Sequence, residues 1–310
     1  MSTADVVVVG SFNHDIVLSV ANLPAPGETC LSSGRLDSPG GKGSNQAIQA
    51  ARCGARVAIL AAIGADAAGE AALEVWAADG VDAALAPRLP GHATGMAVIL
   101  VDARGENSIV VDSGANAHLA PSHIAGAAPL IASARLVLAQ LETPADATRR
   151  AFEIARAAGA TTALNAAPAT AAIDADLLAL TDILFVNEVE AQAMTEEADP
   201  VAAATRLLAR VGEAVVVTLG AQGALLLRRD KASLRQAAHP VAVVDTTGAG
   251  DAFIGAFAAR YAKTGDLSAA MAWGAAAGAL ACAGMGAVAS YADAARIEAM
   301  QSPPGVARPK

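Results

Sequence analysis

The chain has 310 residues, 54% of them apolar, and a formal net charge of −9. This length and apolar content allow one large α/β domain with a small appendage, and the negative charge argues against a nucleic acid partner, which would need a basic surface. No stretch reaches the roughly 18 uninterrupted strongly apolar residues of a membrane span, and Met1 to Asp5 lack the features of a signal peptide, so we expect a cytoplasmic protein without a membrane partner.

The first predicted element is a central strand. Val6 to Val9 is an uninterrupted run of valine that ends at Gly10, which is typical of a strand buried on both faces. Asn13 and Asp15 follow at its carboxyl end, where open parallel sheets bind their ligands. An Asx turn would also explain these two residues, so the local pattern leaves both interpretations open.

A glycine-rich segment, Pro39 to Gln46, opens the next element and predicts a helix that runs to Cys53. It is not a P-loop, because that motif needs a glycine where Leu36 stands and a serine or threonine where Gly43 follows the lysine. We therefore expect these glycines to bring backbone N–H groups close to sugar hydroxyls.

Two stretches do not fit a series of strands and helices. Residues 16–37 carry Pro24 and Pro26 and have no helical period, and Thr94–Val101 with Ser108–Val111 has the composition of a hairpin. Together they predict a small β lid, about 16–38 and 92–113, inserted in a single domain that covers 1–310. The apolar face of such a lid would favour a homodimer.

The remaining elements alternate between strand and helix. Strands are predicted at 57–63, 136–141, 162–164, 183–186 and 214–219, and helices at 67–78, 145–158 and 175–180. Such repeated units predict a doubly wound, mostly parallel sheet flanked by helices. A glycine turn from Gly220 to Gly223 leads into a returning strand at 224–227, and a nucleotide could lie over that turn.

Polar residues follow several of these strands. Glu142, Asn165 and Asn187 each come at a predicted carboxyl end, and Glu188 and Glu190 open a short helix. The helix dipole alone would explain one of these two acids. Two acids with Asn187 beside a phosphate site would also suit Mg²⁺ held largely through water.

The stretch from Val243 to Phe257 carries the strongest chemical signal. It predicts a β run that breaks at Gly248 and Gly250 and continues as a helix, whose free N–H groups would attract an anion such as phosphate. A capping role would explain Asp251 in the first turn. Beside a phosphate, however, this carboxylate would repel the anion unless it accepts a proton from an attacking hydroxyl, which favours kinase chemistry.

Six motifs in order carry a family resemblance. They are Asn13-x-Asp15, the run Gly40-Gly41-Lys42-Gly43-Ser44-Asn45-Gln46, Glu142 in Leu-Glu-Thr-Pro, Asn187-x-x-Glu190, Thr218-Leu219-Gly220-x-x-Gly223, and Asp245-Thr246-Thr247-Gly248-Ala249-Gly250-Asp251. From Val6 to Ser290 the chain resembles the ribokinases, which are carbohydrate kinases of the phosphofructokinase-B type. The resemblance implies one α/β domain, a β lid that pairs with the lid of a second subunit, and transfer of the ATP γ-phosphate to the O5 hydroxyl of D-ribose.

The resemblance also implies roles for individual residues. Sugar contacts would come from Asn13, Asp15, Gly41, Lys42, Asn45 and Glu142. Asp251 would be the catalytic base, beside an anion hole formed by Gly248, Ala249 and Gly250. The nucleotide would meet Asn187, Thr218, Leu219, Gly220, Ala221, Gln222, Gly223, Gly250 and Ala275. A K⁺ ion would be held by Asp245, Thr247, Ala281, Gly284, Gly286 and Ser290, and hydrated Mg²⁺ would lie near Asn187 and Glu190.

The chain departs from the family pattern at Ser44, Ala166, Ala275 and Gly284. Gly284 and Ala275 replace larger side chains near the cation and the adenine; a carbonyl ligand for K⁺ tolerates such a change, whereas adenine packing and nucleotide preference depend on the side chains. Alternatives to a ribose kinase are a sister kinase for deoxyribose, fructose, ketodeoxygluconate or a nucleoside, and a non-catalytic sugar-binding protein. An intact base and glycine pair argue against the last of these. A nicotinamide dehydrogenase is excluded because the turn after the first strand lacks the G-x-G-x-x-G pattern.

Overall fold

The computed structural model describes residues 3–168, 173–229 and 231–301. The two consecutive prolines after Gln301 predict a disordered tail, and that tail lies outside these residues. In chain order the strands are β1 Val6–Val9, β2 Asn13–Ser19, β3 Gly34–Gly40, β4 Val57–Leu60, β5 Ile63–Gly64, β6 Arg88–Leu89, β7 Met96–Val101, β8 Asn107–Asp112, β9 Leu136–Ala139, β10 Thr161–Asn165, β11 Ile183–Asn187, β12 Ala214–Thr218, β13 Ala224–Arg228 and β14 Lys231–Gln236.

Helices alternate with the strands over most of the chain. They are α1 Lys42–Arg52, α2 Ala67–Ala78, α3 Pro121–Gly126, α4 Ala128–Ser133, α5 Ala145–Ala157, α6 Ala175–Ala179, α7 Glu188–Thr195, α8 Pro200–Leu208, α9 Ala249–Thr264, α10 Leu267–Cys282 and α11 Ala294–Gln301. None of the helices in the described ranges combines the length and apolarity needed to span a bilayer.

The main sheet has the strand order β14-β13-β12-β11-β10-β9-β1-β4. The six strands from β12 to β4 are parallel, and β13 and β14 add an antiparallel edge. Side chains of β1 alternate between two buried cores: Val6 and Val8 pack with α1, α2, α9 and α10, whereas Val7 and Val9 pack with the helices from α3 to α8. The predicted doubly wound sheet flanked by helices is confirmed.

A second sheet has the order β3-β2-β7-β8 and stands apart from the main sheet. Strand β2 pairs antiparallel with β3 and parallel with β7, so the two stretches that the sequence set apart form one layer. Ile109, Val110 and Val111 on the outer strand β8 are 55%, 72% and 55% exposed. This small sheet therefore presents apolar side chains along one edge.

Several predicted elements differ from the structure. The β run predicted at Val243 and Val244 is wrong: both side chains are exposed, and the Val244 N–H donates to the carbonyl of Cys282 instead of a strand. The strand predicted at 57–63 is divided into β4 and β5. The sequence patterns did not predict α3, α4, α8, β6 or β14.

Candidate active site

The candidate site lies at the carboxyl ends of the central strands. The chain passes from β1 outward to β4 and returns on the other side of β1 at β9, which makes this the point where the winding reverses. Gly41, the N-cap residue of helix α1, lies here with a φ of +84°. A Cβ on Gly41 would lie 2.8 Å from the backbone of both Phe12 and Asn13, so only glycine permits this approach.

Glu142, which follows β9, is tied to the segment that opens α1. Its Oε2 accepts a hydrogen bond from the Lys42 N–H at 2.9 Å and another from the Ser11 hydroxyl. Ser11 also accepts the Gly43 N–H at 3.3 Å. Sequence reasoning missed Ser11, although its place directly after the first buried strand is the same signal that identified Asn13.

Asn13 is held by a residue that the sequence did not identify. The buried Asn116 donates its amide N–H to Asn13 Oδ1 at 2.9 Å and to the carbonyl of Phe12 at 2.8 Å. Because Asn13 Oδ1 is used as an acceptor, its Nδ2 group is left to donate to a ligand.

Asp15 is half-buried, and one of its carboxylate oxygens is an unpaired acceptor. Its Oδ1 is inaccessible and has no hydrogen-bond partner. Burial, and after it the negative charge of Glu142, raises the pKa of Asp15 to about 7, against the opposing charges of His14 and Lys42. An unpaired buried acceptor of this kind is stabilised by a hydroxyl donor, and a polyhydroxylated ligand would supply one.

Lys42 lies between four acidic side chains. The charge of Asp251, followed by those of Glu142, Glu190 and Asp15, raises the pKa of Lys42 although burial lowers it. Lys42 also lines a cavity of about 140 Å³ together with Asn187, Glu190, Thr218, Gly248, Gly250 and Asp251. The lysine predicted to hold the sugar therefore also faces the predicted phosphate site.

Asp251 is in the first turn of α9 and is only 8% exposed. Its Oδ2 accepts from the Asn45 amide at 3.0 Å, and its Oδ1 accepts from the Gln46 amide at 2.8 Å. The carboxylate thus faces the cavity with its orientation fixed by two residues of α1.

The start of α9 depends on a glycine in a left-handed conformation. Gly248 has φ +73°, and a Cβ there would lie 2.6 Å from the Cβ of Ala287. The Tyr291 hydroxyl donates to the carbonyl of Gly248 at 3.2 Å. Among the described residues, the N–H groups of Gly250 and Asp251 have no backbone acceptor, whereas the Ala249 N–H already donates to Thr246 at 3.2 Å. The Gly248 N–H likewise donates to no described backbone acceptor, so the amides free to meet an anion are those of Gly248, Gly250 and Asp251.

A larger cavity, of about 520 Å³, adjoins the smaller one and shares Thr218 and Gly250 with it. Of the residues predicted to meet a nucleotide, the cavity brings together Thr218, Gly220, Ala221, Gly223, Gly250 and Ala275. Leu219 and Gln222 do not line it: Leu219 is buried, and Gln222 closes the turn through a bond from its N–H to the Leu219 carbonyl. Sequence reasoning missed Val243, Phe253, Gly278 and Cys282, which form much of its apolar wall.

The sequence profile described as "pfkB family carbohydrate kinase" matches residues 3–294. The chain belongs to this family. It is a carbohydrate kinase.

Individual pfkB relatives are similar over most of their length. Ribokinase from Haemophilus influenzae is 38% identical over 288 residues, which cover 91% of this chain and 94% of that protein. Deoxyribokinase from Salmonella typhi is 34% identical over 272 residues, covering 86% and 89%. The structure of Arabidopsis thaliana ribokinase complexed with ribose and ATP superposes with a TM-score of 0.89 at 28% identity and covers 97% of this chain and 99% of that one.

The residues predicted for a monovalent cation come together around Asp245. Its Oδ1 accepts from the Thr247 N–H and hydroxyl at 2.9 and 2.7 Å, and its Oδ2 accepts from the Gly286 N–H at 2.8 Å. Burial alone would raise the pKa of Asp245, but these hydrogen bonds lower it overall. Ala281, Gly284 and Ser290 lie in the same segment, where Gly284 approaches within 2.8 Å of Ser290 if a Cβ is added. The Asp245 carboxylate is an oxygen donor of the kind that fits K⁺, and the neighbouring segment could add backbone carbonyls.

The two residues predicted near Mg²⁺ form a capping box at the start of α7. Asn187 Oδ1 accepts from the Glu190 N–H at 2.8 Å, and Glu190 Oε2 accepts from the Asn187 N–H at 2.9 Å. Burial raises the pKa of Glu190, against the Asn187 hydrogen bond and the charge of Lys42. No group of three or more potential metal-ligating His, Cys, Asp or Glu side chains occurs within the described ranges. These residues fit an Mg²⁺ that keeps most of its water and is bound mainly through phosphate.

Proposed function

We propose that the protein is an ATP-dependent kinase that transfers the γ-phosphate to the O5 hydroxyl of D-ribose and produces D-ribose 5-phosphate. The observation that carries this proposal is the position of Asp251. Its buried carboxylate lies in the first turn of α9, next to free N–H groups, and lines the small cavity that adjoins the larger apolar one.

The polar side chains around the start of α1 are suited to a sugar. Asp15 Oδ1 and Asn45 Oδ1 are buried acceptors without partners, and Asn13 Nδ2 is left as a donor. Sugar hydroxyls donate and accept hydrogen bonds and would satisfy both kinds of group. We assign sugar contacts to Asn13, Asp15, Gly41, Lys42, Asn45 and Glu142.

The apolar pocket is suited to the base and ribose of ATP. Small residues such as Ala275 and Gly278 shape one wall, and the turn at Gly220 to Gly223 forms another. From there the triphosphate would extend past Thr218 and Gly250, which both cavities share, toward Asn187 and the start of α9. A helix N-terminus favours bound phosphate through its free N–H groups and its dipole.

In the proposed reaction Asp251 accepts the proton of the sugar hydroxyl as the hydroxyl oxygen attacks the γ-phosphorus. The amides of Gly248, Gly250 and Asp251 stabilise the charge on the transferring phosphoryl group, and Lys42 adds a positive charge at the same place. Mg²⁺ near Asn187 and Glu190 would neutralise phosphate charge when bound, and K⁺ near Asp245 would shape the anion hole.

A sister activity on deoxyribose is the second candidate, because a deoxyribokinase is among the similar proteins at 34% identity. A coupled assay of ADP formation with ribose, deoxyribose, fructose and adenosine, with and without K⁺, distinguishes the two. We expect the highest kcat/KM with ribose and a higher rate with K⁺. An equal or higher kcat/KM with deoxyribose would replace the first proposal with the second, and no turnover with any acceptor would contradict both.

We also propose that residues 1–310 form a single domain whose lid, about 16–38 and 92–113, covers the sugar and pairs with the lid of a second copy. The exposed apolar side chains of β8 support this pairing. Sedimentation should report a homodimer that Val110→Lys converts to a monomer, and a monomeric wild type would contradict the pairing.

A further inference from the structure

Gln46 is a polar side chain of α1 that is completely buried, with 0% exposure, and it lines neither cavity. Its amide Nε2 donates to Asp251 Oδ1 at 2.8 Å and to Asn165 Oδ1 at 3.0 Å. Its Oε1 accepts from the Gln140 amide at 2.7 Å. Both of its N–H groups and its carbonyl are therefore used inside the protein.

The direction of this chain of amides follows from the carboxylate at its end. An ionised Asp251 can only accept, so Gln46 must turn its NH₂ group toward Asp251 and its carbonyl toward Gln140. Gln140 must then donate, which leaves its own Oε1 buried and without a partner. A buried acceptor left unpaired costs free energy. In this series of amides the unpaired acceptor is on Gln140 and not next to the Asp251 carboxylate.

Gln140, at the far end of this series of hydrogen-bonded amides, has no room to rearrange. Gln140 is 1% exposed, and a Cβ on Gly10 would lie 2.2 Å from its Oε1. A buried amide that is packed on all sides cannot rotate without moving the β1 segment. Gln140 thus fixes the carbonyl end of Gln46, while the NH₂ group of Gln46 holds Asp251.

We infer that Gln46 is a positioning residue for phosphoryl transfer: it holds Oδ1 of Asp251 from the protein interior, so that Oδ2 takes the proton of the sugar hydroxyl. This inference rests on the proposed kinase function. Oδ2 is the oxygen that Asn45 contacts at 3.0 Å, and Asn45 is one of the assigned sugar contacts.

In the proposed phosphoryl transfer, one proton and one phosphoryl group move. The hydroxyl O–H bond breaks and its proton moves to Asp251 Oδ2. The hydroxyl oxygen forms the new bond to the γ-phosphorus, and the bond from that phosphorus to the β–γ bridging oxygen breaks, which releases ADP. Gln46 makes no contact with sugar or phosphate, and acts only through the orientation of the carboxylate.

The chain offers a matched control on the same helix. Gln49 is also completely buried, and its amide donates to the carbonyl of Ala292 at 2.8 Å and to Cys53 Sγ at 3.2 Å, away from Asp251. Gln46→Met and Gln49→Met remove the same hydrogen-bonding group from the same kind of environment. Only the first should change the chemistry.

The test measures kcat at saturating sugar and ATP, and the dissociation constant of the sugar by calorimetry. We expect Gln46→Met to lower kcat about 10- to 100-fold, since small errors in the position of a catalytic group have effects of this order, and to leave sugar affinity within about twofold. Gln49→Met should lower the melting temperature similarly and leave kcat unchanged. Gln140→Met removes only the hydrogen bond to Gln46 Oε1 and should lower kcat about threefold.

Equal kcat values for wild type and Gln46→Met would overturn the inference, as would an equal loss of kcat in Gln49→Met. If Gln46→Met does not fold, Gln140→Met decides, and an unchanged kcat in that variant overturns the inference. Failure of the proposed function has a different signature, because the wild type itself would then form no ADP with any sugar.

Discussion

The sugar side and the nucleotide side of the site are built by different means. On the sugar side, buried acceptor atoms such as Oδ1 of Asp15 and Oδ1 of Asn45 have no hydrogen-bond partner. On the nucleotide side, small and apolar residues such as Ala275, Gly278 and Phe253 outline a cavity of about 520 Å³. Directional hydrogen bonds reject a ligand that lacks a hydroxyl far more strongly than an apolar wall rejects a change of shape. Selectivity for the acceptor should therefore exceed selectivity for the nucleotide.

The largest effect is expected where the two sides meet. Asp251→Asn keeps the size of the side chain but removes the proton acceptor, so kcat should fall by about 10²–10⁴, the usual range for a general base. Steady-state kinetics with ribose and ATP measures this change, and the melting temperature checks the fold. Turnover close to that of the wild type would remove Asp251 from the mechanism.

Gly248 should be nearly as sensitive, because the anion hole depends on its backbone conformation. An alanine there must adopt φ +73° and approach the Cβ of Ala287 within 2.6 Å. We expect Gly248→Ala to lower kcat at least tenfold and to destabilise the protein by about 1–3 kcal/mol.

Gly265 at the other end of α9 provides the control. It has φ +66°, but a Cβ there would meet nothing within 4 Å. Gly265→Ala therefore carries a conformational cost of about 1–2 kcal/mol without a clash, and kcat should not change. Equal effects of the two substitutions on kcat would mean that the close approach at Gly248 does not shape the site.

Sugar binding should depend on pH near neutrality. Burial and the charge of Glu142 raise the pKa of Asp15 to about 7, and sugar hydroxyls that donate to Asp15 would favour its ionised form. Sugar affinity should therefore rise several-fold as the pH increases through about 7, and Asp15→Asn should abolish this dependence. Calorimetry between about pH 5.5 and 8 measures it, and a flat wild-type profile would contradict the assignment.

The stability of the ligand-free protein should depend on pH in the opposite direction: it should fall as the pH rises. Because the folded-state pKa of Asp15 lies above its ordinary value, the stability that this group contributes is present below about pH 4 and is lost as the pH rises toward 7. The melting temperature of Asp15→Asn should therefore rise relative to that of the wild type as the pH increases over this range. A constant difference between the two proteins would show that Asp15 does not titrate there.

The nucleotide side should give the smallest effect. Ala275 lines the larger cavity, and a leucine at this position would fill part of it. Ala275→Leu should raise the KM for ATP about 3- to 10-fold and leave sugar affinity unchanged, because the two cavities do not share this residue. A change in sugar affinity of the same size would mean that the two sides are not independent.

Much of the fold was predictable because its signals are local. The valine run of β1, the helix over Ala67–Ala78 and the glycine before α9 each follow from neighbouring residues. The β run predicted at Val243 failed because β propensity carries no information on whether a partner strand is available. Here the backbone bonds instead to Cys282, which is distant in sequence.

The site was predictable in part for the same reason. Glycine-rich motifs located Asp251 and Lys42, but Ser11, Asn116, Gln46 and Gln140 were given no role. Their function depends on partners far along the chain: Asn116 lies 103 residues from Asn13, and Gln46 lies 205 residues from Asp251. Such pairings are set by the winding of the sheet, and no local pattern contains them.

The most direct test of the central claim compares D-ribose with 5-deoxy-D-ribose, which lacks the hydroxyl proposed to reach Asp251. ADP formation and the phosphorus NMR spectrum of the product would be recorded under the same conditions. We expect ribose 5-phosphate from ribose and no phosphorylated sugar from the analogue. A phosphorylated product from 5-deoxy-D-ribose, or phosphate on another hydroxyl of ribose, would contradict this expectation.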